Sequence, residues 1–401
     1  MITERFEVPA KLKTTGLVLL LIGIITLVAG GFTLLRSDND LEHTRFWVSL
    51  LHNSVFFLFI TVASIFIQAA VTLAQGGWIL AYKRVPEAIG ANVWIFGLIA
   101  AVVLLTIVYG DVEHNIYHWL HPGDDQILIG KSTFLNKGMF TGFTLVAIAL
   151  WSWFGIQFRK KSIEMETVQK NTKLYWKVVA LSGAFLFVYA LTMMSTVPWL
   201  WIMSIDAHWF STLFSWYVFA SAFVSGMALI MLWVVYLKNK NLLKFVTKEH
   251  LHDLAKFLFA FSIFWTYLWF SQFMLIWYGN IPEETIYFKI RMQGPYSMFF
   301  WANIIINFVL PVFILMSRPS KRTYLTVVFV ATIIIFGHWL DFYLMIMPSP
   351  MQQYWSLSWF EIGIPVGFIG LIILTVSKTL SKSGLVTNNH PLLKETLIHI
   401  S

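Results

Sequence analysis

Ten apolar runs, each long enough to cross a bilayer, constrain this chain more than any other feature of its sequence. They cover 15–35, 47–73, 91–110, 138–158, 176–203, 208–236, 255–278, 296–316, 325–346 and 359–378. At 1.5 Å of rise per residue, about 20 such residues span the ~30 Å hydrocarbon core. Backbone in lipid must satisfy its own hydrogen bonds, so runs of this kind are read as helices. The expected fold is an all-α polytopic membrane protein with ten transmembrane helices, short loops and no soluble domain. Only 12% of the 401 residues are charged, about half the share in a soluble domain. The first run is too long for the apolar core of a signal peptide and reads as a retained helix.

Orientation follows from Lys and Arg. Of the 28 basic residues, 22 fall in the N-terminus, the even-numbered connections and the tail. The other side holds only Arg36, Arg45, Lys131, Lys137, Lys289 and Arg291. By the positive-inside rule both termini are cytoplasmic. Topology therefore explains the net charge of +8, and no nucleic-acid partner is expected. Acids distribute the opposite way: Asp38, Asp40, Glu42, Asp111, Glu113, Asp124, Asp125, Asp206, Glu283, Glu284, Asp341 and Glu361 lie on or near the outer side. The chain has no cysteine. That excludes thiolate-held iron–sulfur clusters and a C-x-x-C-H haem attachment within it.

An internal repeat organises the runs. "YGDVEHNIY" (Tyr109 to Tyr117) closes the third and "YGNIPEETIY" (Tyr278 to Tyr287) closes the seventh. Trp47 and Ser49 at the start of the second match Trp209 and Ser211 at the start of the sixth. "YWKVV" opens the fifth and "YLTVV" the ninth, a register that pairs Phe187 with Phe336 and Leu191 with Leu340. Helices 2–5 thus echo helices 6–9 as a parallel repeat about an axis along the membrane normal. The expected divisions are 1–46 (N-terminus and helix 1), 47–203 (first four-helix bundle), 204–346 (second bundle) and 347–401 (helix 10 and tail).

Polar groups in these runs are the functional candidates. His338 and Asp341 are three apart, on one helix face. Asp341 stands about 19 residues, or ~28 Å, beyond Arg322. Ionisable groups inside transmembrane helices are costly and mark functional paths; the alternative is an interfacial pair satisfying nearby backbone. Asp206 has the position of an N-cap for helix 6, and His208 follows it. His52 lies one turn into helix 2. Asp111, Glu113 and His114 close helix 3, opposite Glu283 and Glu284 in the repeat. Acids at a helix C-terminus oppose its dipole, which raises a proton-handling role for them above simple solvation. Glu361 begins helix 10. Asn303, Asn307, Gln272 and Gln68, with Ser262, Thr266, Tyr267, Ser271, Thr192, Ser195 and Thr196, form a polar column or merely glue helices together. His52, His208 and His338 are a weak haem alternative. No phosphate loop, hydrolase elbow or H-E-x-x-H spacing occurs.

Three segments carry a family resemblance: "FSIFWTYLWFSQFMLIWYGNIPEET", "SIDAHWFSTLFSWYVF" and "GHWLDFYLMIMP". Through them essentially the whole chain resembles one of the two paralogous integral membrane subunits of alternative complex III. That complex is a bacterial quinol:cytochrome c oxidoreductase, and both membrane subunits belong with the NrfD/polysulfide-reductase type. The resemblance implies two four-helix bundles flanked by helices 1 and 10, in the bacterial inner membrane. It implies no redox cofactor in this chain, with haem c and iron–sulfur clusters in partner subunits. A quinol is compatible with the site, although the resemblance assigns quinol oxidation to the other membrane paralogue. Expected partners are that paralogue, the multihaem cytochrome c and iron–sulfur subunits, lipids and a terminal oxidase supercomplex. The expected function is a redox-inactive scaffold that conducts protons. A quinol-binding role in its own right and an autonomous secondary transporter are the alternatives.

Overall fold

The structure, a computed structural model, describes residues 4–110, 116–167, 172–354, 357–387 and 389–399. Among them ten helices are long and apolar enough to cross a membrane. They are α1 (Ala10–Thr33), α2 (Asp40–Leu73), α3 (Arg84–Tyr109), α4 (Lys137–Thr167) and α5 (Thr172–Trp201), then α6 (Phe214–Asn239), α7 (Lys248–Gly279), α8 (Gly294–Leu315), α9 (Tyr324–Ile346) and α10 (Trp359–Leu380). The protein is thus an all-α, multi-pass membrane protein. α5 and α8 each contain one wide π turn, Thr192–Thr196 and Ile305–Val309. Both precede a proline, Pro198 and Pro311, whose missing N–H interrupts the regular ladder.

α2 and α6 are the most buried spans and pack on each other. α2 also packs on α3 and α5, and α4 joins those two. Likewise α6 packs on α7 and α9, and α8 joins those two. α1 lies against α10, which touches α2 and α3. The α1–α10 seam is built from small residues. The buried residues of α1 are Gly16, Gly23, Thr26 and Gly30, and they face Gly363, Gly367 and Gly370. A Cβ on Gly23 would stand 2.3 Å from the Gly367 Cα, so only glycine permits this approach. In lipid such close packing replaces the hydrophobic effect as the source of helix association.

Both chain ends meet at the basic end of the molecule. The Glu4 carboxylate accepts the backbone N–H of Leu243 at 2.7 Å, and Arg5 bridges to Gly384. The tail then crosses both bundles. Asn389 donates to the Glu166 carbonyl at 2.7 Å, and Glu395 accepts the Gly77 N–H at 2.9 Å. A buried network underlies this face: Glu87 accepts from Arg84 at 2.8 Å and from Arg159 at 3.3 Å.

Candidate functional site

Every helix of the second group contributes to a polar cluster around Asp341. Asp341 and His338 on α9 are both fully buried. Asn303 on α8 donates to Asp341 Oδ1 at 2.7 Å, and Trp265 on α7 donates its indole N–H to Oδ2 at 2.9 Å. The Tyr217 hydroxyl on α6 also donates to Oδ1. His338 Nδ1 lies 3.8 Å from Asp341 Oδ2 and 2.9 Å from the Ser221 hydroxyl. Asn307 extends the chain, donating to Asn303 Oδ1 at 2.5 Å. Gly337 permits that approach, since a Cβ there would fall 2.2 Å from Asn307 Oδ1. Three neutral donors and one histidine thus offset the cost of burying a carboxylate. Asp341 lies five residues, or about 7.5 Å, inside the end of α9.

The cluster continues toward the acid-rich end. A cavity of about 20 Å³ is lined by Tyr217, Gln272, Asn303, Asp341 and Arg291, room for about one water molecule. The Gln272 Oε1 there has no protein hydrogen-bond partner. Beyond the cavity Arg291 is almost fully buried. Its guanidinium donates to the carbonyls of Leu344 at 2.8 Å, Tyr287 at 2.7 Å and Met345 at 3.2 Å. It also pairs with Asp206 at 3.2 Å and sits 3.4 Å from the Tyr287 ring centroid. Asp206 takes the Ser349 hydroxyl as well. A polar path therefore leads from His338 and Asp341, through a water-sized space, to Arg291 and the partly exposed Asp206.

Two local expectations are corrected. Asp206 is not the N-cap of helix 6: that helix starts at Phe214, and Asp206 ends a 3-10 turn, Met203–Asp206, where Arg291 holds it. Nor do Glu283 and Glu284 stand at the C-terminus of helix 7. α7 stops at Gly279, with Asn280 in the left-handed conformation (φ 48°) as its cap. Pro282 then begins a separate helix, Pro282–Met292, with Glu283 and Glu284 in its first turn. Proline favours that first position, and the dipole favours acids there. Glu283 is exposed and Glu284 half-buried. Their placement is explained by helix initiation.

The remaining candidates are scattered. His208 is exposed, 2.5 Å from Asp125, whose carboxyl it holds below the usual carboxylate range by hydrogen bonding. His52 is buried, with Nε2 2.9 Å from the Trp339 carbonyl. Glu361 is buried in an ion pair with Arg45 at 2.7 Å and caps α10 through the Ser358 N–H at 3.0 Å. Gln68 is buried on α2, and no hydrogen bond among the described residues links its side chain to Asp341. Thr192, Ser195 and Thr196 donate to carbonyls of their own helix, and Tyr267 is exposed, so those serve packing. Asp111, Glu113 and His114 lie outside the described residues. Among the described residues no group of three His, Asp or Glu is placed to hold a metal ion. Tyr217, Ser221, Trp265 and Arg291 escape the sequence reading. Tyr217, Ser221 and Ser225 at i, i+4 and i+8 are the only sequence trace of that face.

No protein-family model and no curated protein sequence matches this chain. Fold and site together define a class: a ten-span helical membrane protein whose second four-helix group encloses a carboxylate–histidine cluster.

Proposed function

We propose that this chain is a redox-inactive, proton-handling membrane component of a bacterial quinol:cytochrome c oxidoreductase of the alternative complex III type. In this reading it scaffolds the assembly in the inner membrane, with both termini cytoplasmic. The resemblance of "QFMLIWYGNIPEE" and its companions supports the family and the partners: the quinol-oxidising membrane paralogue and the haem c and iron–sulfur subunits. The observation that carries proton handling is the path from buried Asp341 to Asp206. A carboxylate can take up and release a proton, and one water in the adjoining cavity brings it within reach of the outer side. Arg291 cannot give up its proton at accessible pH, so it sets the field while Asp206 is the terminal acceptor. A 20 Å³ cavity takes water and not a quinol ring, which favours proton handling over quinol binding at Asp341. Toward the basic end Ser262 on α7 is buried with its hydroxyl unpartnered, and the next charged side chains are Lys256 on α7 and Lys238 on α6, each near the basic end of its helix. An outward path is therefore better supported than a full transmembrane relay.

Mild-detergent purification of the tagged chain tests the assembly: haem-stained partners should accompany it. A chain that runs alone and catalyses solute exchange would instead be a transporter.

A further inference from the structure

A second cavity plays no part in the Asp341 path. It is a groove of about 550 Å³ where α1, α2, α6, α9 and α10 meet, lined by residues such as Leu12, Phe57, Trp233, Phe336, Trp339 and Ile369. We infer that this groove holds one acyl chain of an anionic phospholipid from the leaflet at the basic end of the molecule.

Length, chemistry and charge carry this. On α10 the lining runs from Ile362, near the acid-rich end, to Ile373, about 16 Å of helix, and Leu12 and Tyr236 carry the groove on to the basic end. An extended acyl chain entering from the basic end lies along such a groove. Along the middle of the groove the polar groups are already engaged: Thr332 donates its hydroxyl to Val328 O at 2.9 Å, and the Trp339 indole N–H is held by Asn53 at 2.9 Å. A quinol ring would find neither a histidine nor a carboxylate in this lining, whereas an alkyl chain needs none. At the basic end the lining changes to Trp233 and Tyr236, rings suited to the interface. Leu12 lines the mouth between Lys11 and Lys13, both exposed, and exposed Lys240 stands one turn beyond Tyr236. The acids of the N-terminal segment do not cancel these lysines. Glu4 is buried and bound to the Leu243 N–H, which leaves Glu7 exposed one turn before Lys11. A negatively charged headgroup is the complement of this mouth.

The test uses the full-length protein in detergent, stripped of lipid and re-equilibrated with phosphatidylglycerol or phosphatidylcholine, then weighed by native mass spectrometry. One phosphatidylglycerol should be retained in preference to phosphatidylcholine. Ile369→Trp with Ile373→Trp should abolish retention at unchanged helicity. The surface set Lys11→Gln, Lys13→Gln and Lys240→Gln leaves the core untouched and should lower the anionic preference about fivefold per lysine. Equal retention of both lipids, retention by the filled groove, an unaltered preference in the lysine set, or displacement of the lipid by an equimolar isoprenoid quinone would each overturn the inference.

Discussion

Aligning α2 with α6 on Trp47 and Trp209, α3 with α7 on Tyr109 and Tyr278, and α5 with α9 on Tyr175 and Tyr324 compares the two groups directly. Val55 then stands opposite Tyr217, Phe59 opposite Ser221, Phe96 opposite Trp265, Tyr189 opposite His338 and Thr192 opposite Asp341. In the first group Phe59 packs on Trp201 and Trp151, with centroids 5.7 and 6.2 Å away. Trp151 donates to Thr192 at 2.9 Å, and Tyr189 packs on Phe66 and Phe185. The first group therefore fills with rings and neutral hydrogen bonds, Trp151 to Thr192 and Trp201 to Thr144, what the second fills with a carboxylate, a histidine and their donors. The frame does not need charge at that position to pack. The second group carries a buried carboxylate that costs stability, and a function is the reason to carry it.

Breaking the second group should cost most. Arg291→Leu strands Asp206 and three carbonyls, and should lower stability by about 3–5 kcal/mol; thermal unfolding in detergent measures it, and a loss under ~1 kcal/mol would mean the pair is solvated. Next, Asp341→Leu leaves the Tyr217, Trp265 and Asn303 donors unmet and should cost about 3 kcal/mol. In the first group Thr192→Val strands only the Trp151 N–H, about 1 kcal/mol. If the two α5 and α9 substitutions cost the same, the contrast between the groups is lost. Glu283→Gln with Glu284→Gln removes only dipole-favoured charges and should cost about 1 kcal/mol or less, with proton release unchanged.

The tail offers a pH test of the same contrast. His390 is buried against Tyr175 of the first group, and burial, with nearby Lys83 adding to it, lowers its pKa to about 3. Its Nδ1 accepts the Leu392 N–H at 3.2 Å. The folded tail therefore favours neutral histidine: its contribution is complete above about pH 6.5 and is lost as pH falls from there toward 3. Limited proteolysis should release the tail faster at pH 5 than at pH 7.5, and His390→Gln should flatten that difference. On the second group the tail is held by His399 and Asp253 instead.

The ten spans are legible because lipid demands long apolar helices, and all ten expected runs are present. His338 and Asp341 are legible because an acid three residues from a histidine in such a helix has no other easy reading. Their donors are not. α7 is aromatic on all sides, with Phe261, Phe264, Trp265, Trp269 and Phe270, so sequence does not say that Trp265 turns inward. Arg291 and Asp206 are separated by 85 residues, and only the fold brings them together. Other signals are local. Asn280 followed by Pro282 marks a helix stop and a new start. The seven-residue spacing of Gly16, Gly23 and Gly30 marks the face α1 shows to α10.

The most direct measurement of the proposed function is proton release per quinol oxidised by the proposed complex, purified through this chain, with Asp341→Asn beside Thr192→Val. Asn keeps the shape of the site but cannot hold the transferable proton. The account predicts that Asp341→Asn slows coupled proton release by about 100-fold, while Thr192→Val leaves it at the wild-type rate. Equal rates in both variants and the wild type would contradict it.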